Sequence, residues 1–241
     1  MRNDDAGKTI LVTGASSGIG ALSVRAPALA GHTVYAGIRQ MAPRNATAVA
    51  DLVRHGTGHR VDVHAVEPDV TSQDSADGAT DRIVTERSRL DVVVHNAGHI
   101  VLGAAEAFAA EQFADLYDVD VLGTERVSRA ALPKVREQGS GLLVWIGGPS
   151  TRGGCPPFPA PCFAAKAAMD ALAVSWAAEV LPFGIGTAIA VPGAFTTGTN
   201  HLADAGTPPT STVRKPTTGV TNPSWAAWAS VWPRSSLRTP M

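Results

Sequence analysis

The stretch Thr9-Ile10-Leu11-Val12-Thr13-Gly14-Ala15-Ser16-Ser17-Gly18-Ile19-Gly20 decides the fold. Thr9–Thr13 is a short β-branched run of the kind that forms a fully buried strand. The glycines that follow open a helix, expected over Gly18–Ala30. Gly14 permits a tight turn off the strand, and Gly18 lets the backbone come close to a pyrophosphate. Gly20 allows helix and strand to pack closely. Free N–H groups and the dipole of the helix start favour an anion. A glycine-rich turn alone says little. At the first strand–helix junction of an alternating chain it indicates a dinucleotide-binding βαβ unit. The competing reading is a structural turn without a ligand.

The rest of the chain supplies that alternation. Further strands are expected at Thr33–Ile38, Arg60–Val66, Leu90–His95, Gly141–Ile146 and Gly186–Val191. Helices are expected at Ser72–Arg89, Glu111–Glu137 and Phe163–Leu181. Pro27 should kink the first helix or end it early, because proline lacks a donor and clashes with the preceding turn. Nearly continuous apolar strands between helices imply an α/β fold, a parallel sheet covered on both faces.

Residues 1–205 read as one domain and 206–241 as an atypical Pro/Thr-rich tail. In that tail Trp225, Trp228 and Trp232 would share one face of a short helix started by Asn222 and Pro223. They either pack on the body or meet a partner.

Composition narrows the function. The chain has 241 residues, 44% apolar and 17% charged, with a formal net charge of −1. This describes a globular protein with no electrostatic footprint for nucleic acid or an anionic membrane. No apolar run is long enough to span a bilayer. The polar Met1–Lys8 segment does not read as a secretory signal, so a cytoplasmic location is expected. Cys155 and Cys162 make neither a disulfide framework nor a metal site, and two free thiols are expected.

Arg39 follows the second strand, where the adenosine ribose would lie. An acidic residue there suits a 2′-hydroxyl, whereas Arg pairs with a 2′-phosphate, so NADP(H) is the expected cofactor. A solvated surface Arg is the alternative. Asp69, after the third strand, either holds the adenine amino group or forms a turn before Thr71.

These residues resemble the short-chain dehydrogenase/reductase family over about Lys8–Asn200. Thr13–Gly20 is similar to its TGxxxGIG loop, contributing Gly14, Ser16, Ser17, Gly18, Ile19 and Gly20. His95-Asn96-Ala97-Gly98 is similar to its NNAG motif, where Asn96, Ala97 and Gly98 would support the adenine side. Pro192-Gly193 is similar to its PG turn beside the nicotinamide, with Thr196 or Thr197 near the carboxamide or phosphate. The resemblance implies a single Rossmann-type doubly wound parallel sheet with helices on both faces. It also implies a homo-oligomer and hydride transfer between NAD(P)(H) and a small carbonyl or alcohol.

The family's chemistry uses a Tyr that exchanges the substrate proton and a Lys one turn later that lowers the Tyr pKa and holds the nicotinamide ribose. A Ser holds the substrate oxygen, and an Asn on the preceding long helix positions a relay water. Lys166 matches the Lys. Cys162 stands at the Tyr position, Gly148 or Pro149 at the Ser position with Ser150 next to it, and Asp120 at the Asn position. Lys166, Cys162, Ser150 and Asp120 are therefore the candidate catalytic residues.

General acid–base help is typically worth roughly 10²–10⁴-fold, and a thiol does not reach where a phenol does without a water between. Three readings of Cys162 stay open: an inert residue, a thiolate activated by Lys166, or a bystander while water or Lys166 supplies the proton. The functional readings follow. The chain is a weakly active NADP(H)-linked oxidoreductase, a silent NADP(H)-binding regulatory or partner subunit, or a non-redox enzyme using Cys162.

Overall fold

The computed structural model describes residues 7–149, 158–192 and 205–207. Six strands, β1 (Thr9–Val12), β2 (Thr33–Gly37), β3 (Val63–Val66), β4 (Val92–His95), β5 (Gly141–Ile146) and β6 (Ile185–Ala190), form one sheet. Its order is β3-β2-β1-β4-β5-β6 and every pairing is parallel. The chain reverses its direction of travel across the sheet between β1 and β4. In an open parallel sheet that switch leaves a crevice beyond the carboxyl ends of the strands, where ligands bind.

Alternation of side chains builds two cores. Leu11, Tyr35, Val93, Leu143 and Trp145 face one side. They pack with helices α3 (Gln73–Arg87), α5 (Gly123–Gln138) and α6 (Ala160–Val180). Ile10, Val12, Val34, Ala36 and Val94 belong to the other cluster, with α1 (Gly18–Leu29) and α2 (Ala46–His59). The period-2 geometry of a strand sends adjacent residues to opposite faces, so each short strand must be apolar throughout. A smaller cluster joins α4 (Ala110–Tyr117) to α6 through Val101, Phe108, Leu116, Cys162 and Ala165.

Several expected boundaries shift. The first helix passes through Pro27 and ends at Leu29, so the proline falls in its last turn, where little helix remains to be disrupted. Helix α2 was not foreseen. Ala48, Val49 and Leu52 pack against the core, but no α2 residue is fully buried, and Gly56 and Gly58 weaken the helical signal. Arg60 caps α2 in the left-handed region at φ 55°, so the third strand begins at Val63 rather than at Arg60.

The long helix expected over Glu111–Glu137 is α4 and α5 joined by a π-helical turn, Asp118–Leu122. The last helix starts earlier than expected, at Ala160, because Pro161 fits its first turn. The expected domain boundary falls at Gly206, which forms a parallel bridge with Val101. The tryptophan-bearing tail lies outside the described residues.

Candidate active site

At the carboxyl end of β1 the chain turns at Gly14, with φ +65°. A Cβ there would lie 2.7 Å from the Cα of Ala97, so only glycine fits without displacing backbone. A Cβ on Gly20 would collide with the Gly14 carbonyl and the Asn96 amide. Ser17 starts α1, but its side chain makes no capping bond, and the first turn carries no acid. This helix start therefore has no side-chain cap and no acid of its own, an arrangement that can receive an anion.

Two side chains lock the turn in place. Asn96 donates from Nδ2 to the carbonyls of Thr13 (2.9 Å) and Gly14 (3.0 Å). Thr13 Oγ1 accepts from the Asn96 amide (3.0 Å) and the Ala97 amide (3.1 Å), and donates to the Val94 carbonyl (3.2 Å). The glycine motif by itself does not mark Thr13 as a site residue. A threonine at the end of a strand, just before a glycine turn, is the signal that was available.

Arg39 and Asp69 lie at the ends of β2 and β3, in one corner. Arg39 Nη1 is 4.0 Å from Asp69 Oδ1, and about half of the Arg39 side chain is exposed. Asp69 Oδ1 also accepts from the Thr71 amide (3.0 Å) and hydroxyl (2.7 Å), the turn geometry weighed as its alternative role. Burial works against its charge, but the Thr71 bonds and Arg39 outweigh burial and hold its pKa below the ordinary value.

The catalytic candidates converge from three elements. Lys166 on α6 places Nζ 2.8 Å from Asp120 Oδ1 on the π-helical turn and 3.1 Å from the Ile146 carbonyl at the end of β5. The Asp120 side chain is 2% exposed and that of Lys166 21%. The Asp120–Lys166 contact is an ion pair without hydrogen-bond alignment, so its attraction is chiefly electrostatic. Gly98 makes room for it, since a Cβ there would stand 2.6 Å from Asp120 Oδ1. A π-turn adds a residue to the helix and changes the aim of its side chains, a device frequent at functional sites.

Cys162 does not present a thiol to this pair. The Val101 amide donates to its Sγ at 3.0 Å, and the residue is buried in the small apolar cluster. Burial pushes the thiol up from 9.0 to about 11, and the nearby Asp120 charge adds to this. Lys166 and the Val101 amide pull the other way and do not prevail. Of the three readings of Cys162, the thiolate activated by Lys166 is the one these surroundings disfavour: desolvation and the Asp120 carboxylate outweigh the lysine.

Gly148 and Pro149 follow β5 and carry no hydroxyl. Ser150, Cys155, Gly193, Thr196 and Thr197 lie outside the described residues, while Pro192 follows β6 within them.

His95, the first residue of the His-Asn-Ala-Gly motif, was missed as a site neighbour. Its ring is buried, sits 4.5 Å from the Trp145 ring and contacts Ser128 Oγ at 3.0 Å through Nε2. Burial, helped by the Lys166 charge, pushes its pKa from 6.5 to about 3, so it is neutral at ordinary pH. Among the described residues, no cluster of three or more His, Cys, Asp or Glu side chains could hold a metal ion.

Residues 8–207 match the family model for short chain dehydrogenase, and the chain belongs to that family. A 3-ketodihydrosphingosine reductase from Bacteroides thetaiotaomicron is 32% identical over 78% of this chain and 64% of its own. Human 17-beta-hydroxysteroid dehydrogenase type 1 is 34% identical over 73% of this chain and 53% of its own. The chain thus spans less than two thirds of the length of these relatives.

A short-chain dehydrogenase structure from Streptomyces avermitilis superposes with a TM-score of 0.72 at 34% identity, covering 84% of this chain and 70% of that one. A gluconate 5-dehydrogenase from Burkholderia cenocepacia, solved with NADP and tartrate, shares the fold. Its TM-score is 0.73 at 24% identity, over 81% of this chain and 74% of that one.

Proposed function

We propose that this chain binds NADP(H) and has kept the family's cofactor scaffold while most of its power to move the substrate proton has been lost. The observation that carries this reading is Cys162, a buried, protonated thiol turned to the Val101 amide where the family places a phenol. The cofactor, when bound, would supply or accept the hydride.

The backbone of Gly14, Ser16, Ser17, Gly18, Ile19 and Gly20 would hold the pyrophosphate, and Arg39 the 2′-phosphate. Asn96, with Ala97 and Gly98, keeps the loop on the sheet. Pro192, Gly193 and Thr196 would border the nicotinamide, Lys166 its ribose, and Asp69 the adenine. The uncapped start of α1 and the left-handed Gly14 suit such a ligand. A small carbonyl or alcohol is the substrate class for the residual oxidoreductase activity. We also take the chain to be cytoplasmic and to form a homo-oligomer. No helix among the described residues is long and apolar enough to cross a membrane.

A second reading, a silent NADP(H)-binding regulatory or partner subunit, is favoured by the pairing of Lys166 with Asp120, because a lysine held by a carboxylate is less available to a substrate relay. The non-redox reading, in which Cys162 is a nucleophile, is disfavoured by the burial of its thiol.

The deciding experiment measures NADPH binding, then NADPH oxidation with a panel of carbonyls. The parent is compared with a variant carrying Cys162→Tyr, Pro149→Ser and Asp120→Asn. Binding by both, with turnover faster in the variant by roughly 100-fold or more, is expected. Measurable slow turnover in the parent supports the weak oxidoreductase, and none supports the silent subunit. Turnover in the parent near that of the variant would overturn the proposal, as would a parent that fails to bind NADPH.

A further inference from the structure

We propose that Asp120 is a positioning residue that takes the Lys166 ammonium as its own counter-ion, and so withholds that charge from a phenol at position 162 and from a ribose hydroxyl. The inference rests on the reading of the chain as a cofactor-binding scaffold of its family. It concerns a residue that the family scheme places here as a neutral amide.

The carboxylate cannot be bystander chemistry. Asp120 is almost wholly buried, and a buried carboxylate needs a partner. Lys166 Nζ stands 2.8 Å away, nearer than the Ile146 carbonyl at 3.1 Å or the Met169 sulfur at 3.7 Å. Two titratable groups close by do not compete for the ammonium. His95 is neutral at ordinary pH and Cys162 is protonated.

The arrangement is built by three separate backbone features. The π-helical turn aims Asp120 inward, Gly98 leaves the room its oxygen fills, and α6 brings Lys166 from the far side. An amide in place of Asp120 would carry no charge. It would leave the full positive charge of Lys166 directed at its other neighbours.

The consequence is that position 162 and position 120 do not act independently. A cation within several ångströms lowers a phenol's pKa by roughly 1–3 units, but only while its charge is not cancelled by a closer anion. Restoring the phenol alone would restore the shape of the relay and not its electrostatics.

The test is a tyrosinate absorbance titration of Cys162→Tyr and of Cys162→Tyr/Asp120→Asn, without cofactor. Tyr35 and Tyr117 are accounted for by titrating the parent and Asp120→Asn. The introduced phenol is expected to titrate at least about one unit lower in the double variant, a tenfold gain in its ionisation at a given pH. Equal titration in the two variants would overturn the proposal.

A second measurement covers the case in which the phenol spoils folding. It is the NADPH dissociation constant of the parent, Asp120→Asn, Lys166→Met and the double variant. Asp120→Asn should tighten binding by about 3–10-fold when Lys166 is present and leave it unchanged when Lys166 is absent. An equal effect in both backgrounds would show that Asp120 does not act through Lys166. A chain that binds no NADPH in any form would refute the cofactor reading, and the phenol titration would still decide the role of Asp120.

Discussion

The two halves of the crevice are built differently. On the β1 side the turn is held by hydrogen bonds between the neutral side chains of Asn96 and Thr13 and the backbone, and no charge is involved. On the α6 side a buried carboxylate pairs with an ammonium, and a neutral thiol lies apart from them in a small apolar cluster. The first half depends on backbone shape and tolerates change poorly. The second depends on the balance of burial and charge, and one substitution resets it.

The largest way to break the contrast is at Gly14. Gly14→Val puts a β-branched residue at φ +65° and a Cβ against Ala97. Strain and overpacking should together cost about 3 kcal/mol of stability and abolish NADPH binding. Urea unfolding and a fluorescence titration measure the two effects.

The α6 side is sharpened by alkylation. With its thiol pushed to about 11, against an ordinary 9.0, Cys162 should react with iodoacetamide about 100-fold more slowly folded than unfolded from its lower thiolate fraction alone, before steric access is considered. Peptide mass spectrometry reads Cys155 separately. A folded rate at Cys162 near that of the unfolded chain would restore the thiolate reading.

His95 joins the two halves and gives a pH signature. Its folded pKa is about 3, below the ordinary 6.5, so between these values the unfolded chain binds a proton that the folded chain refuses. The stability from this residue is complete above about pH 6.5. It is lost as pH falls toward the folded value, by about 2 kcal/mol between pH 6.5 and 5. His95→Asn should flatten this part of the acid limb, which urea midpoints at the two pH values would show.

The smallest expected effect is at the cofactor's far end. Arg39 is half exposed, so Arg39→Ala should weaken NADPH by about tenfold while leaving NADH nearly unchanged. Equal weakening of both would remove Arg39 as the basis of cofactor preference.

Most of the architecture was legible from local pattern. The β1–Gly14–α1 junction, the alternating strands and the Asn96 motif were all readable, because each is specified by a few adjacent residues. Helix α2 was not, since Gly56 and Gly58 lower its helix propensity and none of its residues is fully buried. The π-helical turn was not legible either. Whether a helix inserts an extra residue depends on what packs against it, and here Asp120 is drawn inward toward Lys166.

The sequence by itself determined the sheet and its glycine turn. These follow from backbone preference and side-chain identity, which are properties of short segments. Only the tertiary structure buried Cys162 and His95, which shifts both pKa values further toward the neutral forms, and brought Lys166 to Asp120. Charge states depend on burial and on the distance to other charges, and those charges arrive from elements far apart in the chain.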